Sequence, residues 1–427
     1  MKKFPWLLAA LGMLLSAPTA HAVTIQALFA AADRQPGLMA SELAAKEGGL
    51  RQQAATAALF PRINAFGKAE SYNSPTNPRP MPPTEVNVQA GDSIPFSWNL
   101  LRYGLTLDMP IFVKSLYDLR QKAALLAEKA NLTHTMERVS RKAAVVAANS
   151  ALAYLLDMDK AIDARLASLA KTREDMELKV KIGRTPEVEL LKVVNSVNDL
   201  RAQKNELAGK ILDTRRELET LTGLEVTEPA AMSLTGTLAS APYLAEQIAE
   251  REKSAAHEEW ERSVSARYIP GLYLSGSISG NEGEAYNTGE EFYRKYGFIG
   301  LTLQVPLFDH GLDVEQSIAR MRLHKAEKEL AATRIALAAQ EKSLKGKLPV
   351  VEESRLIAAQ SLTNSEAILT VARLALTLGR TTTEEYLRQE AQVLAARAAL
   401  CQAENEKWRV ITQLAVLYGT DLEGVVQ

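Results

Sequence analysis

The chain has 427 residues, a near-balanced charge of 50 basic against 51 acidic residues, and a single cysteine. A net charge of −1 gives no electrostatic basis for binding nucleic acid, which proteins hold mainly through basic side chains on phosphates. The lone Cys401 excludes an internal disulfide.

The first 22 residues have the organisation of a secretory signal peptide. Two lysines precede the apolar stretch 6–15, and residues 20–22 form an Ala-x-Ala cleavage site. The apolar stretch is too short to span a bilayer, and no later stretch reaches the roughly 18 apolar residues of a transmembrane helix. No cysteine lies at the cleavage site, which excludes the usual lipoprotein anchor. We therefore expect an exported mature chain that starts at Val23.

The mature chain contains two copies of one pattern, 196 residues apart. The segment Leu-Thr-Leu-Asp-Met-Pro-Ile-Phe at 105–112 returns as Leu-Thr-Leu-Gln-Val-Pro-Leu-Phe at 301–308. Two shorter matches keep the same spacing: Gly-Arg-Thr at 183–185 and 379–381, and Leu-x-Gly at 221–223 and 417–419. Three matches at one spacing predict a tandem duplication.

The duplication predicts a first repeat over 23–223, a linker over 224–241 and a second repeat over 242–427. In the first repeat we predict a helix over 24–59, strands near 61–73 and 97–110, a long helix over 112–182 and a helix over 187–221. In the second repeat we predict a helix over 242–267, strands near 269–280 and 293–306, a long helix over 309–378 and a helix over 383–418.

The long helices and the prolines mark these boundaries. A helix of about 70 residues is about 105 Å long and is unusual in a globular domain, so it favours a coiled-coil wall. Prolines suit the junctions of strands with helices, because they are excluded from central strands and from helix interiors. The four prolines at predicted junctions are Pro61, Pro110, Pro270 and Pro306, and residues 74–95 and 280–291 are predicted to be exposed loops.

The predicted strands alternate apolar and polar residues. This alternation over about ten residues is typical of a transmembrane β-strand, although half-buried soluble strands share it. A Lys or Arg on the lipid face at mid-membrane costs about 2–4 kcal/mol, so the apolar set is predicted to face lipid and Arg102, Thr106 and Asp108 a wet lumen. The positions predicted to face lipid are Leu101, Tyr103, Leu105, Leu107, Leu301, Leu303 and Val305.

These features resemble the TolC-like outer-membrane efflux family. The resemblance is carried by the paired Leu-Thr-Leu-x-x-Pro-x-Phe segments, the boundary prolines, and Gly183 and Gly379, which precede helices beginning Pro-Glu-Val-Glu-Leu-Leu and Thr-Thr-Glu-Glu-Tyr-Leu. It covers residues 23–422. It implies an α+β membrane protein that assembles as a homotrimer, each subunit giving four transmembrane strands to a 12-stranded barrel and long antiparallel helices to a periplasmic coiled-coil tunnel.

The resemblance also implies a function and partners. The chain would be the outer-membrane channel of a tripartite efflux or type I secretion system in a Gram-negative bacterium, with its barrel in outer-membrane lipid and its helical part in the periplasm. It would be a passive duct that a periplasmic adaptor (membrane fusion) protein couples to an inner-membrane RND or ABC transporter. The exported substrate stays open among drugs, metal ions and proteins. The alternative is a soluble periplasmic coiled-coil adaptor or scaffold, against which the amphipathic strands count.

The turns after the long helices are the candidate functional end. The resemblance implies that Gly183, Arg184, Gly379 and Arg380 lie at the periplasmic entrance, where the adaptor docks. A glycine there takes the left-handed conformation that reverses the chain. Arg184 and Arg380 either hold the entrance closed and contact the adaptor, or are helix C-terminal cations that the dipole favours.

Acidic residues often ring the constricted entrance in this family. Glu385 falls at the first such position, while Arg388 occupies the second. Our hypothesis is that three copies of Glu385 form a constriction whose charge Arg388 tempers, either through an i,i+3 pair or across subunits. The alternative is two solvated helix residues. Glu189 and Lys192 occupy the equivalent places in the first repeat.

No sequence feature points to catalysis. The four histidines of the mature chain lack metal-ligand spacing, and phosphate-loop, Gly-x-Ser-x-Gly and His-Glu-x-x-His sequences are absent. We therefore expect a protein that is not an enzyme and holds neither a cofactor nor a metal.

Overall fold

The computed structural model describes residues 23–78, 89, 91–236, 238 and 241–427. The predicted signal peptide lies outside the described residues. In chain order the elements are α1 (Ile25–Asp33), α2 (Pro36–Ala57), β1 (Arg62–Thr76), β2 (Ser97–Phe112), α3 (Lys114–Lys181), α4 (Glu187–Thr222), α5 (Leu244–Tyr268), β3 (Gly271–Glu284), β4 (Glu291–Gln304), α6 (His310–Thr377), α7 (Thr383–Tyr418) and a 3-10 turn (Leu422–Gly424). None of the described helices has the length and apolar character needed to cross a bilayer.

The chain divides into two compact units. The helical unit comprises Met1–Met39, of which the described part begins at Val23, together with Arg138–Ala241 and Gln340–Gln427. The strand unit comprises Ala40–Glu137 and Pro242–Ala339. Helices α3 and α6 each contribute residues to both units.

The strand unit contains one antiparallel sheet in the order β1-β2-β3-β4. Directly paired residues in neighbouring strands point to the same face. Ala65 pairs with Leu105, Leu105 with Ile278, and Ile278 with Gly297, so these four residues form one row across the sheet. The apolar positions that the alternation predicts in each of the strands therefore lie on one face of the sheet.

That apolar face is in register through all four strands. It contains the predicted positions Leu101, Tyr103, Leu105, Leu107, Leu301 and Leu303, together with Ile63, Leu274 and Ile299. Val305 directly follows the last residue of β4. The opposite face is mainly polar. It contains Asn64, Lys68, Arg102, Thr106, Asp108, Ser277, Ser279 and Arg294, together with the aromatic residues Phe66, Tyr296 and Phe298.

One predicted helix is wrong. The sequence predicts a single helix over 24–59, but the structure has α1 and α2 with a break at Arg34 and Gln35. Pro36 is the first residue of α2, where its missing N–H removes no helical hydrogen bond, and it prevents α1 from continuing. The Gln35 side chain fixes the break by donating a hydrogen bond to the Thr222 carbonyl at 2.6 Å.

The predicted end of the second strand at Pro110 is also wrong. This proline was expected at the end of a strand but lies inside β2, paired with Tyr273 beside an irregularity in the register. The pairing of β2 with β1 ends at Asp108, so β2 has a neighbour on only one side at Pro110. A proline is tolerated at such an edge because one of its two sides needs no donor. Strand β3 extends to Glu284, which shortens the predicted loop 280–291 to 285–290.

The helical unit has its core between α1, α3, α4 and the C-terminal segment. Phe29, Val146, Leu152 and Leu218 are fully buried in this core, and Val426 packs with them. The C-terminal residues are held by a β-bridge between Leu234 and Val426 and by hydrogen bonds between the backbones of Ser233 and Gln427 at 2.6 and 3.0 Å. The first and the last described helical segments therefore belong to one core.

The helices of the two repeats have equal lengths. Helices α3 and α6 each have 68 residues, and α4 and α7 each have 36. The starts of α3 and α6 are 196 residues apart, as are the starts of α4 and α7. Pro349 lies inside α6 without ending it. The equal lengths support the predicted duplication.

Candidate functional site at the two helix turns

The turn after α3 reverses the chain through a left-handed glycine. Gly183 has φ of 72°. Its N–H donates to the Val180 carbonyl at 3.0 Å, and the Arg184 N–H donates to the Lys179 carbonyl at 2.8 Å. This pair of bonds is the Schellman motif, which satisfies the last carbonyls of a helix.

The turn after α6 repeats this geometry. Gly379 has φ of 70°, and its N–H donates to the Leu376 carbonyl at 3.1 Å. The Arg380 N–H donates to the Ala375 carbonyl at 2.8 Å. The Gly-Arg matches found in the sequence therefore mark two turns of the same structure.

Glu385 and Arg388 form an ion pair on the first turns of α7. Gln389 Nε2 also donates to Glu385 Oε1 at 2.7 Å. The hydrogen bond from Arg388 is the main reason that the pKa of Glu385 is lowered, and the same bond raises the pKa of Arg388. The i,i+3 contact in the hypothesis is present, and it offsets the acidic charge at this position.

The first repeat has the same pair at the start of α4, with Lys192 Nζ 3.0 Å from Glu189 Oε1. The hydrogen bond from Lys192 is the main reason that the pKa of Glu189 is lowered. Burial raises this pKa, and a hydrogen bond from Thr383 lowers it further. Lys192 Nζ also lies 3.8 Å from Glu384 Oε2. The starts of α4 and α7 are therefore in contact. The sequence did not single out Thr383 and Glu384, because their contacts depend on how α4 and α7 pack.

Arg184 and Arg380 in the two turns are exposed. Neither forms an ion pair with another residue that the structure describes. Apolar side chains next to them are exposed as well. These are Leu178, Ile182, Leu374 and Leu378. Each turn therefore presents a cation beside an apolar patch, a surface that suits another protein.

A buried polar cluster near the turns was also missed. Glu390 is 4% exposed and accepts hydrogen bonds from Tyr386 Oη at 2.5 Å and Ser168 Oγ at 2.7 Å. Arg373 Nη2 donates to Ser168 Oγ at 2.7 Å and lies 3.6 Å from Glu390. A buried carboxylate is costly unless it is paired, so this cluster joins α3, α6 and α7. Sequence spacing cannot reveal it because its members come from three distant segments.

The histidines make unrelated contacts. His134 Nδ1 lies 2.8 Å from Ser41 Oγ, and His324 Nδ1 lies 3.1 Å from Glu327 Oε2. His257 packs on Trp260, with ring centroids 5.8 Å apart. Within residues that the structure describes, no group of three or more His, Cys, Asp or Glu is arranged to hold a metal ion.

A family comparison matches the second half of the chain. Residues 234–420 match the family model described as "Outer membrane efflux protein". The second half of the chain is therefore similar to an outer membrane efflux protein domain. The matched region contains β3, β4, α6 and α7, and therefore the second of the two turns.

The whole described chain shares its fold with solved outer-membrane proteins. The outer membrane protein VceC of Vibrio cholerae is 17% identical, with a TM-score of 0.79 over 92% of this chain and 96% of its own. The CmeC outer membrane channel of Campylobacter jejuni is 14% identical, with a TM-score of 0.77 over 98% and 94%. The MtrE outer membrane channel of Neisseria gonorrhoeae is 15% identical, with a TM-score of 0.72 over 94% and 90%. The sequence matches no curated protein.

These matches confirm the resemblance to the TolC-like outer-membrane efflux family. They also confirm the predicted α+β channel fold, in which a four-stranded antiparallel sheet is combined with very long helices.

Proposed function

We propose that this chain is the outer-membrane subunit of a tripartite efflux or type I secretion system. Its strands lie in the outer membrane and its helical part lies in the periplasm, where it forms a passive exit duct. The observation that supports this proposal is the sheet: its apolar face is in register through four strands, and its other face is mainly polar. A strand with one lipid face and one wet face needs this segregation.

Assembly follows from the edges of the sheet. Strands β1 and β4 each have one partner within the subunit. An open edge in lipid leaves backbone groups without hydrogen bonds, so β4 of one copy pairs with β1 of the next until the barrel closes. Three copies of a four-stranded sheet give the 12-stranded barrel that the family resemblance implies.

The helix turns form the periplasmic entrance in this proposal. Glu385 with Arg388, and Glu189 with Lys192, line its constriction. Arg184 and Arg380, with the exposed apolar side chains next to them, contact the adaptor protein. An inner-membrane RND or ABC transporter supplies the energy and selects the cargo, so the duct itself performs no catalysis.

The competing function is a soluble periplasmic adaptor or scaffold. The apolar face of the sheet argues against it, because Ile299 is 75% exposed and Leu301 and Leu303 are each 64% exposed. A soluble protein rarely exposes a contiguous apolar patch of this kind. The family match also favours the channel.

Fractionation and conductance test the proposal. We expect the full chain to enter the outer-membrane fraction, and the purified protein to produce discrete conductance steps in planar lipid bilayers. A protein that stays in the soluble periplasm, and that gives no steps after reconstitution, would be an adaptor or scaffold instead.

A further inference from the structure

Three cations lie in one row on the polar face of the sheet. Lys68 of β1 pairs directly with Arg102 of β2, Arg102 pairs with Asn281 of β3, and Asn281 pairs with Arg294 of β4. The four residues therefore lie at one level across the sheet and on the same face. We call Lys68, Arg102 and Arg294 the cationic row.

The row is not explained by the stability of the sheet. Like charges directly opposite each other destabilise a strand pair, and Lys68 lies directly opposite Arg102. Arg102 Nε lies 2.7 Å from Glu70 Oε2, which offsets one of the three charges. Among residues that the structure describes, Lys68 and Arg294 form no ion pair. Two cations of the row therefore have no compensating carboxylate among the described residues.

Apart from Glu70, which pairs with Arg102, the acidic strand residues at this end of the sheet lie on the opposite face. Glu282 pairs directly with Leu101 and accepts a hydrogen bond from Tyr103 Oη at 2.7 Å, so it belongs to the apolar face. Glu284 and Glu291 pair with each other two positions further along the same face. These carboxylates therefore do not neutralise the cationic row.

A cavity of about 500 Å³ lies on the polar face beside the row. Its lining combines the cations Lys68 and Arg102 with the hydroxyl groups and aromatic rings of Ser277, Ser279, Phe66 and Tyr296. It also includes Glu70, whose carboxylate pairs with Arg102, so Lys68 is the cation of the lining that is left for a ligand among the described residues. Cations and hydroxyls donate hydrogen bonds to an anionic group, and the rings contact an apolar body. This lining suits an organic anion that carries a carboxylate, sulfonate or phosphate group.

We infer that the cationic row is an anion-attracting belt in the lumen, which raises the local concentration of organic anions on their way out. The inference rests on the proposed function, because the polar face is a lumen only in the closed barrel. Each subunit repeats the row, so the belt encircles the pore. A ring of like charges with low-dielectric walls concentrates ions of the opposite sign.

A cysteine placed in the sheet can report the electrostatic potential at the belt itself. Its reaction rate does not depend on charges at the entrance turns. Ser279→Cys, in a Cys401→Ser background, places a thiol on the polar face next to the row. In the reconstituted full-length protein we compare its modification rates by an anionic and a cationic methanethiosulfonate reagent. We expect the anionic reagent to be favoured, and the double substitution Lys68→Gln/Arg294→Gln to lower the anionic-to-cationic rate ratio by about fivefold or more at low salt.

Adjacent residues on β4 supply the matched control. Arg294→Gln removes a cation from the polar face, whereas Lys295→Gln removes one from the apolar face, and only Arg294→Gln should lower the ratio. A ratio that Lys68→Gln/Arg294→Gln leaves unchanged, or that Lys295→Gln lowers equally, would overturn the belt while leaving the channel intact. A thiol that reacts with neither reagent would show that the polar face is not a wet lumen, and would overturn the proposed function as well.

Discussion

Lys142 Nζ lies 2.7 Å from Glu423 Oε1, although 281 residues separate the two and only 1% of the Lys142 side chain is exposed. Asp421 Oδ1 lies 3.2 Å from the same ammonium group and Asp33 Oδ2 3.5 Å from it. Arg138 also donates to both carboxylate oxygens of Asp33. Helix α1, helix α3 and the C-terminal segment therefore meet at one charge cluster inside the helical unit.

Removing two carboxylates from this cluster should destabilise the protein strongly. In Asp421→Asn/Glu423→Gln the buried Lys142 ammonium keeps only the more distant Asp33, and an uncompensated buried charge costs about 3 kcal/mol of unfolding free energy. Chemical denaturation followed by circular dichroism measures the change. Glu206→Gln is the control, since Glu206 pairs with Lys210 on an exposed helix face and the loss of this pair should have little effect. Equal stabilities of the double variant and the control would show that the cluster contributes nothing.

A pH-dependent contribution to stability should come from Glu259 on α5. Burial raises the pKa of this carboxyl, but hydrogen bonds from Arg262 and Lys122 and their charges outweigh it and lower the pKa to about 2. Because the folded pKa lies below the unfolded one, the stabilisation is complete above the unfolded pKa of 4.5 and is lost as the pH falls toward about 2. Glu259→Gln should therefore lose about 2 kcal/mol near neutral pH, a figure reduced for screening by solvent, and the difference should shrink in acid.

The neighbouring Glu258→Gln provides the control for this measurement, because Glu258 forms no ion pair within the described residues. Denaturant midpoints of the three proteins between pH 2 and pH 8 give the comparison. If the difference in stability between the wild type and Glu259→Gln stays constant from pH 2 to pH 8, the lowered pKa of Glu259 is wrong.

Replacing a turn glycine with alanine should lower the stability of the protein, whereas the same replacement inside a helix should raise it. Gly379→Ala forces a side chain into left-handed backbone geometry and should cost about 1 kcal/mol, although its new Cβ meets no atom within 4 Å. Gly346→Ala, in the middle of α6, should stabilise the protein by up to about 1 kcal/mol, because alanine is the better helix former and its Cβ is equally unobstructed. Thermal unfolding of both variants separates the effects. A neutral Gly379→Ala would show that the turn tolerates alanine.

Sequence analysis predicted the repeated elements well because each carries its own periodicity and boundary residues. The bounds of α7 agree with the predicted 383–418, since Thr382 supplies an N-cap and Gly419 ends the helix in the left-handed conformation. The predicted alternation grouped residues of four strands on what proved to be one face. Contacts between distant segments could not be predicted. Glu390 with Ser168, and Lys192 with Glu384, depend on how α3, α4, α6 and α7 pack, which no local pattern encodes.

Charge at the candidate entrance should control ion selectivity in opposite directions. Arg388→Ala removes the cation that offsets Glu385, so the cation-to-anion permeability ratio should rise, while Glu385→Ala should lower it, each by about threefold at low salt. Reversal potentials in planar bilayers give the ratios. Glu206→Gln serves again as a control, because that acid lies far along α4 from the turn. If both entrance variants keep the wild-type ratio, Glu385 and Arg388 are ordinary solvated residues of α7.

Loss of the buried cluster around Glu390 should loosen the packing of α7 on α3. Tyr386→Phe removes the hydroxyl that donates to Glu390 at 2.5 Å but keeps the ring. The carboxylate then retains the Ser168 hydroxyl and the charges of Arg373 and Arg165. An unmade hydrogen bond to a buried carboxylate costs about 1–3 kcal/mol. We expect faster amide hydrogen exchange in α7 near Tyr386, and a larger resting conductance in bilayers because the turns lie at the end of these helices. Tyr154→Phe is a control within the same helical unit, because Tyr154 packs against the core around Phe29 and not against Glu390. Unchanged exchange in Tyr386→Phe would show that apolar packing around the ring, rather than the hydrogen bond, holds α7 in place.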